Sequence, residues 1–140
     1  MPSNPCATSR PVALVTGGAR RIGRAIALDL ARGGWDLGLH FRGSAADAEA
    51  TAGQARALGA RVWLLQADLG DEAASIGLVP ALLAQAGRLD AVVNNASLFE
   101  HDDVAGFGHA AMDRHWRANT AAPILLARAL HAAVAAPGHP

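Results

Sequence analysis

Val15-Thr16-Gly17-Gly18-Ala19-Arg20-Arg21-Ile22-Gly23 joins an apolar run to a segment of helical character. The run before it, Val12-Ala13-Leu14-Val15, has no polar interruption, as expected of a strand covered on both faces. After it, Ile22, Ile26 and Leu30 recur at helical spacing, up to the C-terminal cap signal Gly33-Gly34. Glycines placed between a buried strand and a helix permit a tight turn and a close backbone approach to a pyrophosphate. The helix N-terminus adds free N–H groups and the positive end of its dipole. The stretch therefore predicts a dinucleotide-binding turn.

Working outward, three more apolar runs follow: Leu37-Gly38-Leu39, Val62-Trp63-Leu64-Leu65 and Ala91-Val92-Val93. Between them lie two more helical segments. One opens with Ser44 and Asp47, an approximate capping box, and runs through alanines to Leu58-Gly59. The other runs from Asp71-Glu72 to Ala86-Gly87, and Pro80 is expected to kink or restart it. Strands are expected near 12–16, 36–41, 61–66 and 89–94. A loop from Ser97 to about Ala110 and a helix from Met112 to about Val134 complete the pattern. Alternating strands and helices predict an α/β fold: a Rossmann-type parallel sheet with helices on both faces, in strand order 3-2-1-4. The expected organisation is a flexible N-terminus over 1–10 and one nucleotide-binding domain over 11–140.

Composition bounds the function. Of 140 residues, 51% are hydrophobic and 17% charged, which excludes disorder as the main state. Twelve arginines balance twelve acids, so no net field draws the chain to nucleic acid or to an anionic membrane. The lone cysteine, Cys6, forms no internal disulfide, and no zinc spacing is present. The first residues carry no apolar signal core, and the apolar stretch from Ala118 to Ala136 contains Pro123, Arg128 and His131. A buried helix and a cytoplasmic location are expected.

The second run ends in His40-Phe41-Arg42-Gly43-Ser44. An NAD site would place a carboxylate here for the ribose 2′-hydroxyl. Arg42, Ser44 and Arg20 instead suit a 2′-phosphate, so NADP(H) is the expected cofactor. The alternative for Arg42 is a surface arginine ahead of a helix.

Four motifs in order carry a family resemblance: the glycine turn, Asp68-Leu69 after the third strand, Asn94-Asn95-Ala96-Ser97 after the fourth, and Asn119 in the last helix. Together they resemble the short-chain dehydrogenase/reductase family, with its TGxxxGxG and NNAG motifs. The resemblance implies cofactor contacts from Gly17, Arg20, Arg21, Ile22, Gly23, His40, Phe41, Arg42, Ser44, Asp68, Leu69, Asn95, Ala96 and Ser97. Asp68 would face the adenine; alternatively it is a turn or helix-capping residue. Arg21 stands for the middle glycine and Ser97 for the last glycine of NNAG. With the stretch from Leu39 to Ala46, these departures resemble the pteridine reductase branch. That likeness implies Arg21, Ser97 and Phe99 at the substrate end, with Phe99 against a flat ring. Otherwise Arg21 is a solvated helix-start arginine and Phe99 a loop anchor.

Members of this family use a tyrosine and a lysine beyond a fifth strand. This chain contains neither residue type. The resemblance thus implies the N-terminal NADP(H)-binding portion of a reductase, truncated after the fourth strand and the following helix, and inactive as given. Asn119 matches the family's helix asparagine, but its inherited role lapses without the lysine. The alternative is a naturally short, catalytically dead NADP-binding module. Full-length relatives are expected to be homo-oligomers acting on a small pteridine, carbonyl or imine compound. His101-Asp102-Asp103, His109 and His115 fit no metal or catalytic spacing, and Trp35, Trp63 and Trp116 read as packing residues.

Overall fold

The four apolar runs form four parallel strands in a computed structural model that describes residues 10–139. They are β1 (Val12–Val15), β2 (Asp36–Phe41), β3 (Val62–Gln66) and β4 (Ala91–Val93), in the order β3-β2-β1-β4. Register is set by Leu14 beside Gly38 and Val92, and by Leu39 beside Leu64. Most of the expected N-terminal segment, with Cys6, lies outside the described residues.

Helices cover both faces. On one, α1 (Arg21–Arg32) and α2 (Ala45–Ala57) pack through Ala27, Ala31, Ala48, Ala52 and Ala55 onto Ala13, Leu37 and Leu39. On the other, α3 (Glu72–Ala86) and α5 (Ala122–Ala135) press Leu78, Val79, Leu82 and Leu126 onto Val12, Leu14 and Leu65. Adjacent β1 residues thus serve opposite cores, as a period of two requires. All four are fully buried.

Five details differ from the sequence expectation. The buried stripe of α1 is Gly23, Ala27 and Ala31, one position on from Ile22, Ile26 and Leu30. Small residues let the helix lie close to the sheet, and Ile22 is left 70% exposed. Ser44 is the N-cap of α2 but makes no side-chain cap bond, and Asp47, the other half of the expected capping box, lies 3.5 Å from Arg20. Pro80 does not break α3, which runs through it as one helix. Proline removes only the N–H that would reach the Ile76 carbonyl, and both residues face solvent. Finally, the last helix starts at His109 as α4 (His109–Trp116) and passes through a π-helical segment (Arg117–Ala121) before α5. Pro123 has no N–H for the Asn119 carbonyl, so the ordinary ladder cannot continue there. Trp116, expected to pack, is 57% exposed.

The N-terminal edge of the sheet is held by charge. Asp36 is fully buried and accepts from Arg61 Nε at 2.6 Å and from the Arg61 N–H at 2.8 Å. Arg10 lies 3.3 Å from the same carboxylate and donates to the carbonyls of Ala31, Gly34 and Gly59. It thereby ties down the C-terminal ends of α1 and α2, where a cation is favoured. Both helices end in the same motif, with Gly34 and Gly59 left-handed (φ +90° and +91°). Beside β4, burial alone would raise the Asp90 carboxyl, but hydrogen bonds from Arg88 and the Val12 N–H hold it below the ordinary value. Among the described residues, no helix is long and apolar enough to cross a membrane.

Removing Asp36 strands the Arg61 N–H and leaves the charges of Arg10 and Arg61 unbalanced. Asp36→Ala is expected to lower stability by about 3 kcal/mol, read as a shift in urea midpoint at unchanged slope.

Candidate functional site

Parallel strands deliver all their C-terminal ends to one edge, and between β1 and β4 the strand order reverses. Thr16 sits at that point and is buried. Its hydroxyl donates to the Val93 carbonyl at 3.3 Å and accepts the N–H groups of Asn95 and Ala96 at 3.0 Å each. Asn95 Nδ2 in turn donates to the carbonyls of Thr16 and Gly17 at 3.0 and 3.2 Å. The glycine turn and the β4 loop are therefore one hydrogen-bonded unit. Thr16 was not among the expected site residues; the only signal for it was its place at the head of the glycine turn.

His40 completes the support. The buried ring accepts the Gly17 N–H at Nδ1 (3.1 Å), and Nε2 lies 3.0 Å from the Ala67 carbonyl. A carbonyl only accepts, so Nε2 carries the proton and the ring is neutral. Burial pushes its pKa below the ordinary histidine value, against upward pulls from the Ala67 carbonyl and the Asp68 charge.

The turn itself is tight and strained. A Cβ on Gly23 would lie 2.1 Å from the Gly17 carbonyl oxygen and 2.6 Å from Asn95 Nδ2, so no side chain fits there. Gly17 is left-handed at φ +63°. Arg21 has φ +51°, the one left-handed non-glycine among the described residues. That conformation costs a non-glycine residue about 1–2 kcal/mol. The strained residue starts α1, where the backbone N–H groups lack helical partners.

A cavity of about 830 Å³ opens over this edge. Gly17, Arg20, Arg21, Ile22 and Gly23 line one wall, and His40, Phe41, Arg42 and Ser44 line the next. Asp68 and Leu69 lie beyond them, with Asn95, Ala96, Ser97 and Phe99 opposite. Every expected cofactor or substrate residue thus borders one space. Within it, Asp68 accepts the Gly70 N–H at 2.8 Å, a turn contact, while Asp71 caps α3. Arg20 is drawn toward Asp47, an exposed pair of small energetic weight.

Asn119 lies behind the wall. In the π segment, its amide makes a two-way clamp on Leu98, accepting the N–H at 2.6 Å and donating to the carbonyl at 2.8 Å. The clamp fixes the chain between Ser97 and Phe99. Phe99 is 79% exposed and meets the His101 ring edge-on at 5.6 Å. A second cleft of about 300 Å³ lies outward, between Glu100–Asp103 and α4. There Glu100 is held below the ordinary carboxylate range, chiefly by its hydrogen bond from Arg114. Among the described residues, no cluster of His, Cys, Asp and Glu could hold a metal ion.

The family model for short chain dehydrogenase matches residues 11–138. The chain belongs to the short-chain dehydrogenase family. It is similar to 3-oxoacyl-[acyl-carrier-protein] reductase FabG of Staphylococcus aureus, 38% identical over 86 residues, or 61% of this chain and 35% of that protein. Among solved structures, it is similar to FolM alternative dihydrofolate reductase 1 from Brucella canis, complexed with NADP. There the identity is 38% and the TM-score 0.82, over 89% of this chain and 49% of that one. A short chain dehydrogenase from Burkholderia cenocepacia in complex with NADP is 35% identical, with a TM-score of 0.84 over 88% of this chain and 50% of that one. The chain thus spans about half the length of these solved relatives.

The turn's two demands are separable. Arg21→Gly relieves the left-handed strain and is expected to raise stability by about 1 kcal/mol. Gly23→Ala forces a methyl against the Gly17 carbonyl and is expected to lower it by about 3 kcal/mol. Urea unfolding of the two variants reads both signs.

Proposed function

We propose that this chain is the NADP(H)-binding portion of a short-chain dehydrogenase/reductase whose substrate end is of the pteridine reductase type. One observation carries the cofactor reading. Where β2 reaches the cavity, its rim is Phe41-Arg42-Gly43-Ser44, with a guanidinium and a hydroxyl and no carboxylate. A 2′-phosphate suits that rim, whereas the hydroxyl of NAD would find no acceptor carboxylate there. The rest of the space fits the same molecule. The N–H groups at the start of α1, which has no side-chain cap among the described residues, suit a pyrophosphate, and the absent Gly23 side chain keeps the backbone within reach of it.

When bound, the nicotinamide supplies or accepts a hydride. The chain's own residues bind and orient. Arg42 and Ser44 hold the 2′-phosphate, with Arg20 able to leave its exposed Asp47 partner. Asp68 and Leu69 border the adenine. Asn95, Ala96 and Ser97 border the nicotinamide end, on a loop fixed by Thr16 from behind and by Asn119 through Leu98. Arg21, Ser97 and Phe99 lie on the same cavity and suit a flat, polar, ring-shaped substrate. The strain at Arg21 supports this reading, since an arginine sits left-handed at a place where glycine would relax the turn. Two further features belong to the proposal. Met112, Trp116 and Ile124 are exposed on α4 and α5, which suits association of the whole protein with a second copy. A cytoplasmic location is part of the same reading.

The 140 residues include no tyrosine and no lysine. A proton donor is worth about 10²–10⁴-fold in rate, so the chain is proposed to bind nucleotide without turning over. Sequencing the DNA downstream of codon 140 tests the reductase reading: a Ser…Tyr-x-x-x-Lys pattern there supports it.

Two outcomes test the function. Calorimetric titration is expected to favour NADPH over NADH, and Arg42→Asp to weaken NADPH about tenfold or more. Equal affinities in the unmodified chain contradict the rim assignment. In an absorbance assay with pteridines, quinones and ketones, the pure chain is expected to consume no NADPH above background; substrate-dependent consumption contradicts the inactive reading.

A further inference from the structure

His40 is the buried titratable group that the proposed function leaves without a task of its own. It reaches both halves of the nucleotide cavity. Its backbone carbonyl accepts the Gly18 N–H at 3.0 Å, while its ring accepts the Gly17 N–H at 3.1 Å. One residue at the end of β2 thus fixes two successive N–H groups of the glycine turn. Its other ring nitrogen reaches the Ala67 carbonyl, next to Asp68. The pyrophosphate side and the adenine side of the cavity are therefore joined through one imidazole.

We propose that His40 is a positioning residue for nucleotide binding, and that its neutral ring, by accepting the Gly17 N–H, keeps the turn in the conformation that receives the pyrophosphate. The reasoning is geometric. Nδ1 can accept only while it is unprotonated. A second proton would set an N–H against the Gly17 N–H, and the buried ring has no room to turn away without losing Ala67. Gly17 would then be free to leave its left-handed conformation, and its carbonyl would no longer lie under Gly23 and Asn95.

The charged groups around the ring are few. Asp68 faces it from the end of β3 and favours the protonated form. Arg20 and Arg21 on the glycine turn, and Arg42 just past the end of β2, border the same cavity. From β4 the neighbour is the neutral Asn95. Burial outweighs the upward pulls of the Ala67 carbonyl and Asp68 and places the folded-state pKa below the ordinary value. The sign follows. The unfolded chain takes up the proton first, so the His40 contribution to stability is complete above about pH 6.5. It declines as pH falls from there through the lower folded-state value. Nucleotide affinity declines as pH falls through that folded-state value.

The inference rests on the nucleotide reading of the cavity, and its test separates the two. Asparagine can place an acceptor where Nδ1 lies, whereas leucine cannot. With NADP⁺ as the probe at about pH 8, His40→Asn is expected to bind within about threefold of the unmodified chain, and His40→Leu at least about tenfold more weakly. Across the pH interval in which NMR shows the His40 ring of the folded chain taking up its proton, the unmodified chain is expected to lose more affinity than His40→Asn, with the titration of the nucleotide common to both. Equal losses in the two variants, or leucine binding as well as histidine, overturn the proposal. Absence of binding by the unmodified chain at about pH 8 overturns the nucleotide reading, and the proposal with it. Should the variants fail to fold, the ligand-free chain decides by NMR. The Gly17 amide resonance is expected to follow the His40 ring as it titrates, and a Gly17 amide indifferent to that titration overturns the contact.

Discussion

Asn95 reaches from the end of β4 and donates to two successive carbonyls of the glycine turn, while the hydroxyl of Thr16 receives the N–H groups of Asn95 and Ala96. Everything on the cavity edge depends on this reciprocal junction. It joins segments nearly eighty residues apart in sequence and fixes the direction in which the turn leaves β1. The carbonyls of Thr16 and Gly17 are taken by Asn95 and that of Ala19 by Thr51, while N–H donors at the start of α1 face the cavity. An anion-binding edge follows from where the acceptors went.

Tightness has consequences in both directions. Gly23 must be glycine because its neighbours are backbone and a hydrogen-bonded amide, neither of which can give way. Arg21 need not be arginine for the fold, and the fold would gain from glycine there. A residue kept against its own backbone preference at the rim of a cavity is the strongest local pointer to a ligand in this chain. The alanine-rich helices belong to the same economy of space. Ala27, Ala31, Ala48, Ala52 and Ala55 bring α1 and α2 close to the sheet, which keeps the turn short and the helix N-terminus near the strand ends.

The strand order and the parallel sheet were legible because each strand is an unbroken apolar run and each crossover carries a helix. That the end of β2 carries an arginine and a serine and no carboxylate was visible in sequence as well, and the structure brings Arg42 and Ser44 to the cavity. Legibility ended where small residues or distant hydrogen bonds decide. Ile22, Ile26 and Leu30 drew attention by size, yet the sheet selected Gly23, Ala27 and Ala31. Ser44 and Asp47 had capping-box chemistry, but Ser44 makes no side-chain cap bond and Asp47 lies beside Arg20. Thr16 acts through partners far along the chain, which no local pattern reveals, and His40, expected as a cofactor contact, also supports the glycine turn through its ring. The π segment needed both Pro123 and the Leu98 clamp of Asn119, and only the proline could be read in advance.

The central claim is that the edge formed by the glycine turn, the end of β2, the start of the β3–α3 loop and the β4 loop is one nucleotide site. Amide chemical-shift mapping with NADP⁺ tests it most directly. The account predicts perturbations at Gly17–Gly23, Arg42–Ser44, Asp68-Leu69 and Asn95–Ser97, appearing together along one titration curve. Perturbations confined to the outer cleft between Glu100–Asp103 and α4, with the glycine turn unmoved, would contradict it.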